Sequence, residues 1–325
     1  MGEAAQTSPV IPLALLGAVV AVLVLATVGV ALAPRVPYHV FQKVHRVLGS
    51  AAFIILTVHS LLAGAQGPTS PSLLMLWTVF FAIVGFLAFG YRAMRKTRGG
   101  IGAAVTQVIP RERAVEVRLT PDGDQLVAAP GQFVLVTATV GGRRETHPFT
   151  LVNPAGVAEP AVLVRATGDW TRAAQQDIEV GGRVHLEGPF GAFLPGTSGA
   201  PETWIAGGVG ITPFLAVIRT ALLDPDQPHP PVTLVLSAKN AADAPCWDEL
   251  AHAAQVLPWL SLDTAFTGDG QRLTPQDISA LLDSSPFDAH RYTCGPVSLN
   301  SLVEEAYAQT GRDPQRFHRE NYSWR

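Results

Sequence analysis

The pattern of hydrophobic and polar positions changes character twice along this chain of 325 residues. Before residue 92 it consists of three nearly unbroken apolar runs, roughly Leu13 to Ala33, Val40 to Ala63 and Leu73 to Tyr91. Each has about the 20 residues needed to cross the hydrocarbon core of a bilayer, so three transmembrane helices are expected. Ala31-Leu32-Ala33 resembles a signal-peptide cleavage site, but no Lys or Arg precedes the run and Glu3 stands where positive charge belongs. The run is also too long for a signal peptide and is followed by Pro34, so it reads as a retained helix.

After Gly99-Gly100 the pattern shortens to alternating segments bounded by Gly, Pro and Asp. Val115 to Leu119, Phe133 to Thr139, Ala161 to Ala166 and Arg183 to Leu186 read as strands of a small antiparallel barrel. From Pro201 strands alternate with helices: strand at Trp204 to Ala206, helix at Thr212 to Leu223, strand at Val232 to Ser237, helix at Cys246 to Gln255, and a strand ending at Tyr292-Thr293. That order predicts a parallel α/β sheet. The expected fold class is therefore multi-domain: a three-helix α-helical transmembrane unit over 1–98, an antiparallel β-barrel over 101–197 and an α/β parallel-sheet domain over 201–325.

Composition narrows the chemistry. With 48% hydrophobic and 15% charged residues, and most of the apolar excess before residue 92, the chain looks built partly for membrane lipid. A net charge of -3 with no basic stripe excludes nucleic acid as a partner. Two cysteines, Cys246 and Cys294, are too few for a four-cysteine iron-sulfur cluster or a cysteine-rich structural zinc site. Any redox centre is then organic or haem.

The charges orient the helices. Arg35, Lys43 and Arg46 fall between the first and second runs, and Arg92, Arg95, Lys96 and Arg98 follow the third, while Gly64 to Ser72 carries no charge. By the positive-inside rule the N-terminus is expected outside the cell membrane and everything after Arg92 in the cytoplasm.

The second run contains His45 and His59. Fourteen helical steps return to within about 40° of the same face and rise about 21 Å, so both imidazoles share a face near opposite leaflets. Intramembrane histidines are costly and neutral imidazole is a haem ligand, which makes the pair candidate axial ligands. The alternative is an interfacial His45 beside Arg46 and a polar helix end at His59. His39 lies on another face and reads as interfacial.

The first strand-to-helix turn of the α/β domain is Gly207-Gly208-Val209-Gly210-Ile211-Thr212-Pro213. Glycines there let the backbone approach a pyrophosphate, Thr212 is placed to cap the helix, Pro213 suits its first position, and the helix N-terminus faces the anion. Many strand-helix turns are glycine-rich, so the turn alone does not identify a nucleotide. Ser237 and Lys239 follow the next strand, with no acidic residue from Ser237 to Ala242 to hold a bare ribose diol. A hydroxyl and a cation there favour NADPH over NADH, unless Lys239 is merely a solvated loop charge.

Further short segments accompany this turn: His147-Pro148-Phe149-Thr150, Gly168-Asp169-Trp170-Thr171, Gly188-Pro189-Phe190-Gly191, Cys294-Gly295-Pro296 and His318-Arg319-Glu320-Asn321-Tyr322. Their order resembles the ferredoxin-NADP reductase superfamily over residues 101 to 325. Joined to the histidine-pair helix, the chain resembles the ferric reductase and NADPH oxidase family. The resemblance implies FAD and NAD(P)H as cofactors and an electron path from NAD(P)H through FAD to haem and an outer acceptor. It implies that His147, Pro148, Phe149 and Thr150 lie along the flavin, with Thr150 near its N5. Trp170, Thr171 and Arg165 would serve the FAD diphosphate, and Gly207, Gly208, Gly210 and Thr212 the nucleotide. Cys294, Gly295 and Pro296 would sit at the nicotinamide. Glu320 and Tyr322 would form the C-terminal element that covers the flavin and yields to nicotinamide.

The departure from the family is as informative. Its members carry more transmembrane helices, two of which each hold a histidine pair, so that two b-type haems are bis-histidine ligated. This chain has one such helix. A homodimer, a haem-sharing membrane partner or the loss of haem would each reconcile it. A haem-free anchored reductase and a non-catalytic flavin-binding subunit are the other expectations.

Overall fold

The computed structural model describes residues 10–32, 38–64, 73–98, 100–123, 126–153, 159–268 and 273–321. Glu3, Pro34, Arg35, the loop 65–72 and Tyr322 lie outside the described residues, as do the side chains of His39, Lys43, Arg92, Arg95, Lys96 and Arg98. The chain divides into two units at Gly99/Gly100.

The first unit holds α1 (Val10–Leu32), α2 (Tyr38–Gly64) and α3 (Leu73–Arg98). Small residues let the helices approach: the ring of His59 lies against Gly17 of α1, its Cε1 3.3 Å from where a Cβ would stand, and Phe53 lies over Gly85 of α3. Thr27 and Thr57 return their hydroxyls to the Leu23 and Phe53 carbonyls, which hides the polar groups inside the helices. Large apolar side chains including Leu25, Leu56, Phe81 and Leu87 are exposed. Among the described residues one segment, Val44–Ala63, is long and apolar enough to cross a membrane; Ala14–Val30 and Met75–Tyr91 are shorter apolar stretches.

The second unit begins with six antiparallel strands, β1 (Ile101–Arg111), β2 (Ala114–Pro121), β3 (Phe133–Val140), β4 (Arg143–Thr150), β5 (Ala161–Arg165) and β6 (Arg183–Phe190), in the order β4-β3-β6-β1-β2-β5. The sheet curls until its edges meet at a single bridge, Leu151 to Val162, so it is a barrel closed by one bridge and not by a full ladder. Alternate residues such as Val134, Val136 and Ala138 of β3 and Val184 and Leu186 of β6 fill the interior. A short helix, α4 (Asp169–Asp177), packs on it through Trp170 and Ala174.

Five parallel strands follow, β7 (Glu202–Gly207), β8 (Val232–Ala238), β9 (Leu260–Phe266), β10 (His290–Gly295) and β11 (Phe317–Asn321), in the order β11-β10-β7-β8-β9. The helices α5 (Thr212–Ala221), α6 (Trp247–Val256), α7 (Pro275–Ser284) and α8 (Val297–Gln309) connect them. Central β7 is buried along its whole length, and Trp204 stacks on Phe214 of α5 with ring centroids 5.1 Å apart. Trp204 and Phe214 belong to the core between sheet and helices.

Barrel and α/β sheet are joined by charge. Glu116 of β2, completely buried, accepts from Arg111 of β1 at 2.7 Å and from Arg219 of α5 at 2.9 Å, and Arg219 continues to Glu249 of α6 at 2.7 Å. Burial pushes the Glu116 acid up, but hydrogen bonds from and the charges of Arg219 and then Arg111 prevail and hold it down at about 2. The Glu112 carboxylate also accepts the Cys246 N–H at 2.8 Å, and Arg113 pairs with Asp243.

Candidate functional site

Parallel strands present their C-terminal ends together, and here β7, β8, β10 and β11 end at Gly207, Ala238, Gly295 and Asn321. Ser237 pairs in register with Gly207, Cys294 with both Ala206 and Glu320, and Gly295 with Asn321. The expected nucleotide and nicotinamide residues are therefore brought to one edge.

The glycine turn is tight for two separable reasons. Gly208 has φ +55°, a left-handed conformation that side chains resist, and Gly210 leaves no room for a Cβ against the Cys294 carbonyl and the Gly295 nitrogen. Residues 208–211 form one turn of 3-10 helix, so the helical path begins before α5. This moves Thr212 from the expected capping position to the first residue of α5, where its hydroxyl donates to the Val209 carbonyl at 3.0 Å. Pro213 accordingly stands second in α5, one residue beyond the first position expected for it. Ser237 is half-buried, Lys239 exposed just beyond β8, and Pro296 exposed at the start of α8.

Cys294 is completely buried within the core cluster. What it presents to the glycine turn is its backbone carbonyl. Glu320 is half-buried, and that burial pushes its carboxyl above the ordinary carboxylate value. Asn300 of α8 was not legible as a site residue. Buried, it accepts from Thr293 at 3.0 Å and donates to the Glu320 carbonyl at 2.8 Å and the Asn321 side chain at 2.8 Å, fastening β11 to the edge.

On the barrel, Thr150 ends β4, buried and in register with Phe133. Phe149 and Pro148 precede it, both half-buried. The His147 ring stacks on Trp170 with centroids 4.3 Å apart, and its Nε2 lies 3.1 Å from Glu145. Trp170 is 5% exposed and its indole N–H has no acceptor among the described residues. A buried donor left open beside the HPFT strand is the kind of atom that a cofactor oxygen satisfies, so the residues fit a flavin nucleotide. The Thr171 hydroxyl is committed locally: it accepts from the Thr167 and Gly168 N–H groups at 3.0 and 2.9 Å. The donors left for a diphosphate at this helix start are thus the backbone N–H groups of its first turn. Arg165, at the end of β5, lies across the barrel boundary: its guanidinium occupies the space where a Cβ of Gly208 would stand.

In the first unit His45 is exposed and stacks on Phe41, whereas His59 is half-buried on Gly17 with its Nδ1 unpartnered. Among the described residues no group of three or more metal-binding side chains occurs.

The family model for the oxidoreductase NAD-binding domain matches residues 204–305. The chain is 30% identical over 166 residues to methane monooxygenase component C of Methylosinus trichosporium, covering 51% of this chain and 47% of that protein. It is 30% identical over 142 residues to human NADPH oxidase 3, covering 40% of this chain and 25% of that protein. The chain thus spans about half or less of the length of these relatives. Among solved structures, the FAD/NAD-binding domain of the Vibrio cholerae nitric oxide dioxygenase superposes with a TM-score of 0.56 at 21% identity, over 69% of this chain and 98% of that one. The curled sheet and parallel sheet have the fold of the paired FAD- and NAD-binding domains of ferredoxin-NADP reductases, and residues 204–305 match an oxidoreductase NAD-binding domain. The chain thus shares an oxidoreductase NAD-binding domain with relatives that include a methane monooxygenase component and an NADPH oxidase.

Proposed function

We propose that this chain is an NAD(P)H-dependent flavin oxidoreductase with FAD as its cofactor, anchored in the cell membrane and passing electrons from NADPH through FAD to haem in the membrane and an acceptor outside. The observation that carries the reading is the single sheet edge that gathers the glycine turn, Ser237, Cys294 and Glu320, with a barrel residue, Arg165, touching that turn. FAD, when bound, accepts a two-electron hydride and releases electrons singly, which one-electron acceptors require.

The chain's own residues then have distinct tasks. Thr150 hydrogen-bonds the flavin edge at the end of β4, and the indole N–H of Trp170 donates to the cofactor. The backbone of Gly208 and Gly210 admits the dinucleotide pyrophosphate at the start of α5. Ser237 and Lys239 take the 2′-phosphate. The buried wall formed by Cys294 and Gly295 would keep water from the nicotinamide, and Glu320, whose acid is raised by burial, lies at the same edge. Tyr322, outside the described residues, would by the family resemblance be the aromatic that covers the flavin.

Val44–Ala63, with the apolar stretches of α1 and α3, supports the anchor, and the arginines and lysines flanking them support an outside N-terminus with the second unit in the cytoplasm. The unpartnered Nδ1 of His59 in an apolar helix supports axial ligation by His45 and His59, the facing imidazoles coming from a second copy or a partner helix. A second reading is a haem-free anchored reductase serving a separate carrier. It is favoured by the close packing of His59 on Gly17 and by the likeness to an oxygenase component. The test is expression with haem supply, alkaline extraction of membranes, and pyridine haemochrome quantitation per flavin in wild type, His45→Ala and His59→Ala. Haem that both substitutions remove supports the first reading. Flavin alone establishes the second, and release by alkaline extraction removes the anchor from both.

A further inference from the structure

The loop after β8, residues 239–246, carries one cation, Lys239, and one acid, Asp243. At its start Thr267 donates its N–H to the Ala238 carbonyl at 2.8 Å, and Gly268 leaves no room for a Cβ against the Lys239 carbonyl. In its middle the Asn240 side chain accepts the Asp243 N–H at 3.0 Å. Its end is held by the barrel. In the turn between β1 and β2, Glu112 accepts the Cys246 N–H at 2.8 Å and Arg113 forms an ion pair with Asp243. Asp243 is buried, whereas the Arg113 side chain is 65% exposed. The backbone bends on both sides of this contact: Arg113 has φ +48° and Cys246 φ +60°, a region that residues other than glycine enter at a cost. Two such residues meeting across a domain boundary mark a contact that the surrounding structure imposes.

An acid in the loop after the second strand of a dinucleotide domain is placed to hold the diol of an unphosphorylated ribose, and its charge repels a 2′-phosphate. Asp243 is the acid in this loop, and Arg113 occupies its carboxylate. We infer that Arg113, from the FAD barrel, is a specificity-determining residue: by neutralising Asp243 it turns the loop toward a nucleotide that carries a 2′-phosphate. The inference rests on the reading of Ser237 and Lys239 given above, and goes beyond it by placing part of the nucleotide choice on the flavin side of the domain boundary. Arg113 is a positioning residue, acting through Asp243. With the pair made, the charge of Asp243 is cancelled and that of Lys239 is left to the ligand. Glu112, the other residue of the turn, is itself an acid, so Arg113 is the turn's only cation. Without it Asp243 becomes a buried carboxylate whose only loop cation is Lys239, and the ammonium that would meet the 2′-phosphate is drawn to the acid instead.

The test uses the FAD-saturated full chain in detergent, with NADPH or NADH as donor and ferricyanide as acceptor. Arg113→Gly is the informative variant, because glycine suits a φ of +48° and the fold loses only the guanidinium. Its preference for NADPH over NADH, taken as the ratio of kcat/KM values, should fall about tenfold relative to wild type. The fall should lie in the KM for NADPH, with kcat and FAD content within about twofold of wild type. Adenosine 2′-phosphate, as an inhibitor competing with NADH, should weaken by a similar factor, and adenosine should not. Adding Asp243→Asn to Arg113→Gly should restore the ratio to within about threefold of wild type, which would not follow if the contact were merely structural. A ratio within about twofold of wild type in Arg113→Gly overturns the inference. So does an equal loss with both nucleotides, a failure to take up FAD, or a double variant that recovers nothing. A wild type with no preference for NADPH removes the reading of Ser237 and Lys239 and the inference with it, whereas a preferring wild type with an unshifted variant removes the inference alone.

Discussion

Glu116 offers a demanding test of how the two domains of the reductase unit are held in register. Glu116→Gln keeps the shape but removes the charge that Arg111, Arg118 and Arg219 converge on. The folded carboxyl is held at about 2 against an ordinary 4.5. That difference corresponds to about 3 kcal/mol in favour of the ionised folded state, near the lower end of what breaking a buried ion pair costs. For a unit of this size such a loss lowers the melting temperature by roughly 6–12 °C. Because the folded value lies below the unfolded one, the contribution is complete above about pH 4.5 and is lost as pH falls toward 2. The assay is thermal unfolding of the FAD-loaded full chain, read by flavin release and tryptophan fluorescence, at pH 7 and at stepwise lower pH. The gap between wild type and variant should be largest at pH 7 and narrow below pH 4.5. Glu249→Gln should cost less, since Glu249 bonds Arg219 alone and is 24% exposed. A Glu116→Gln protein melting within about 1 °C of wild type at pH 7 would refute the reasoning.

Three further expectations follow from single contacts. Gly210→Ala places a Cβ on the Cys294 carbonyl, so NAD(P)+ affinity should fall at least about tenfold with FAD retained; unchanged affinity in a difference titration would contradict it. Asn300→Leu strips the fastening of β11 at a cost of about 1–3 kcal/mol, and amide exchange at residues 317–321 should accelerate while the barrel strands stay protected. Burial pushes the Cys246 thiol up to about 12 and hides Cys294, so iodoacetamide at pH 8 should label neither in the native protein and both after denaturation; rapid native labelling would show the cores to be open.

What was legible in the sequence was legible for physical reasons. The alternation in Phe133 to Val140 and the apolar Trp204 to Ala206 announce buried strands because their side chains have one destination. The partner of the first was not readable: β4 runs Arg-Arg-Glu-Thr-His along an exposed sheet edge, where polar residues are tolerated on both faces. β9 is likewise an edge strand with exposed Asp263 and Thr264. Glu116 sits inside the alternation of β2 and looks like a surface position, because its two closest arginine partners, Arg111 and Arg219, come from other elements, Arg219 from 103 residues away. The same separation hides Asn300 and the meeting of Arg165 with Gly208. Thr212 was misplaced by one residue because glycines carry no signal that a 3-10 turn precedes the helix.

The central claim is that NAD(P)H reduces flavin held by this chain, and it is tested most directly by anaerobic titration. The purified full chain, loaded with FAD, is mixed with NADPH and separately with NADH while the flavin's visible absorbance is followed. The account predicts bleaching in proportion to the NADPH added, more slowly with NADH, and return of the absorbance on admitting a one-electron acceptor. Flavin that stays oxidised with nucleotide demonstrably bound would contradict it.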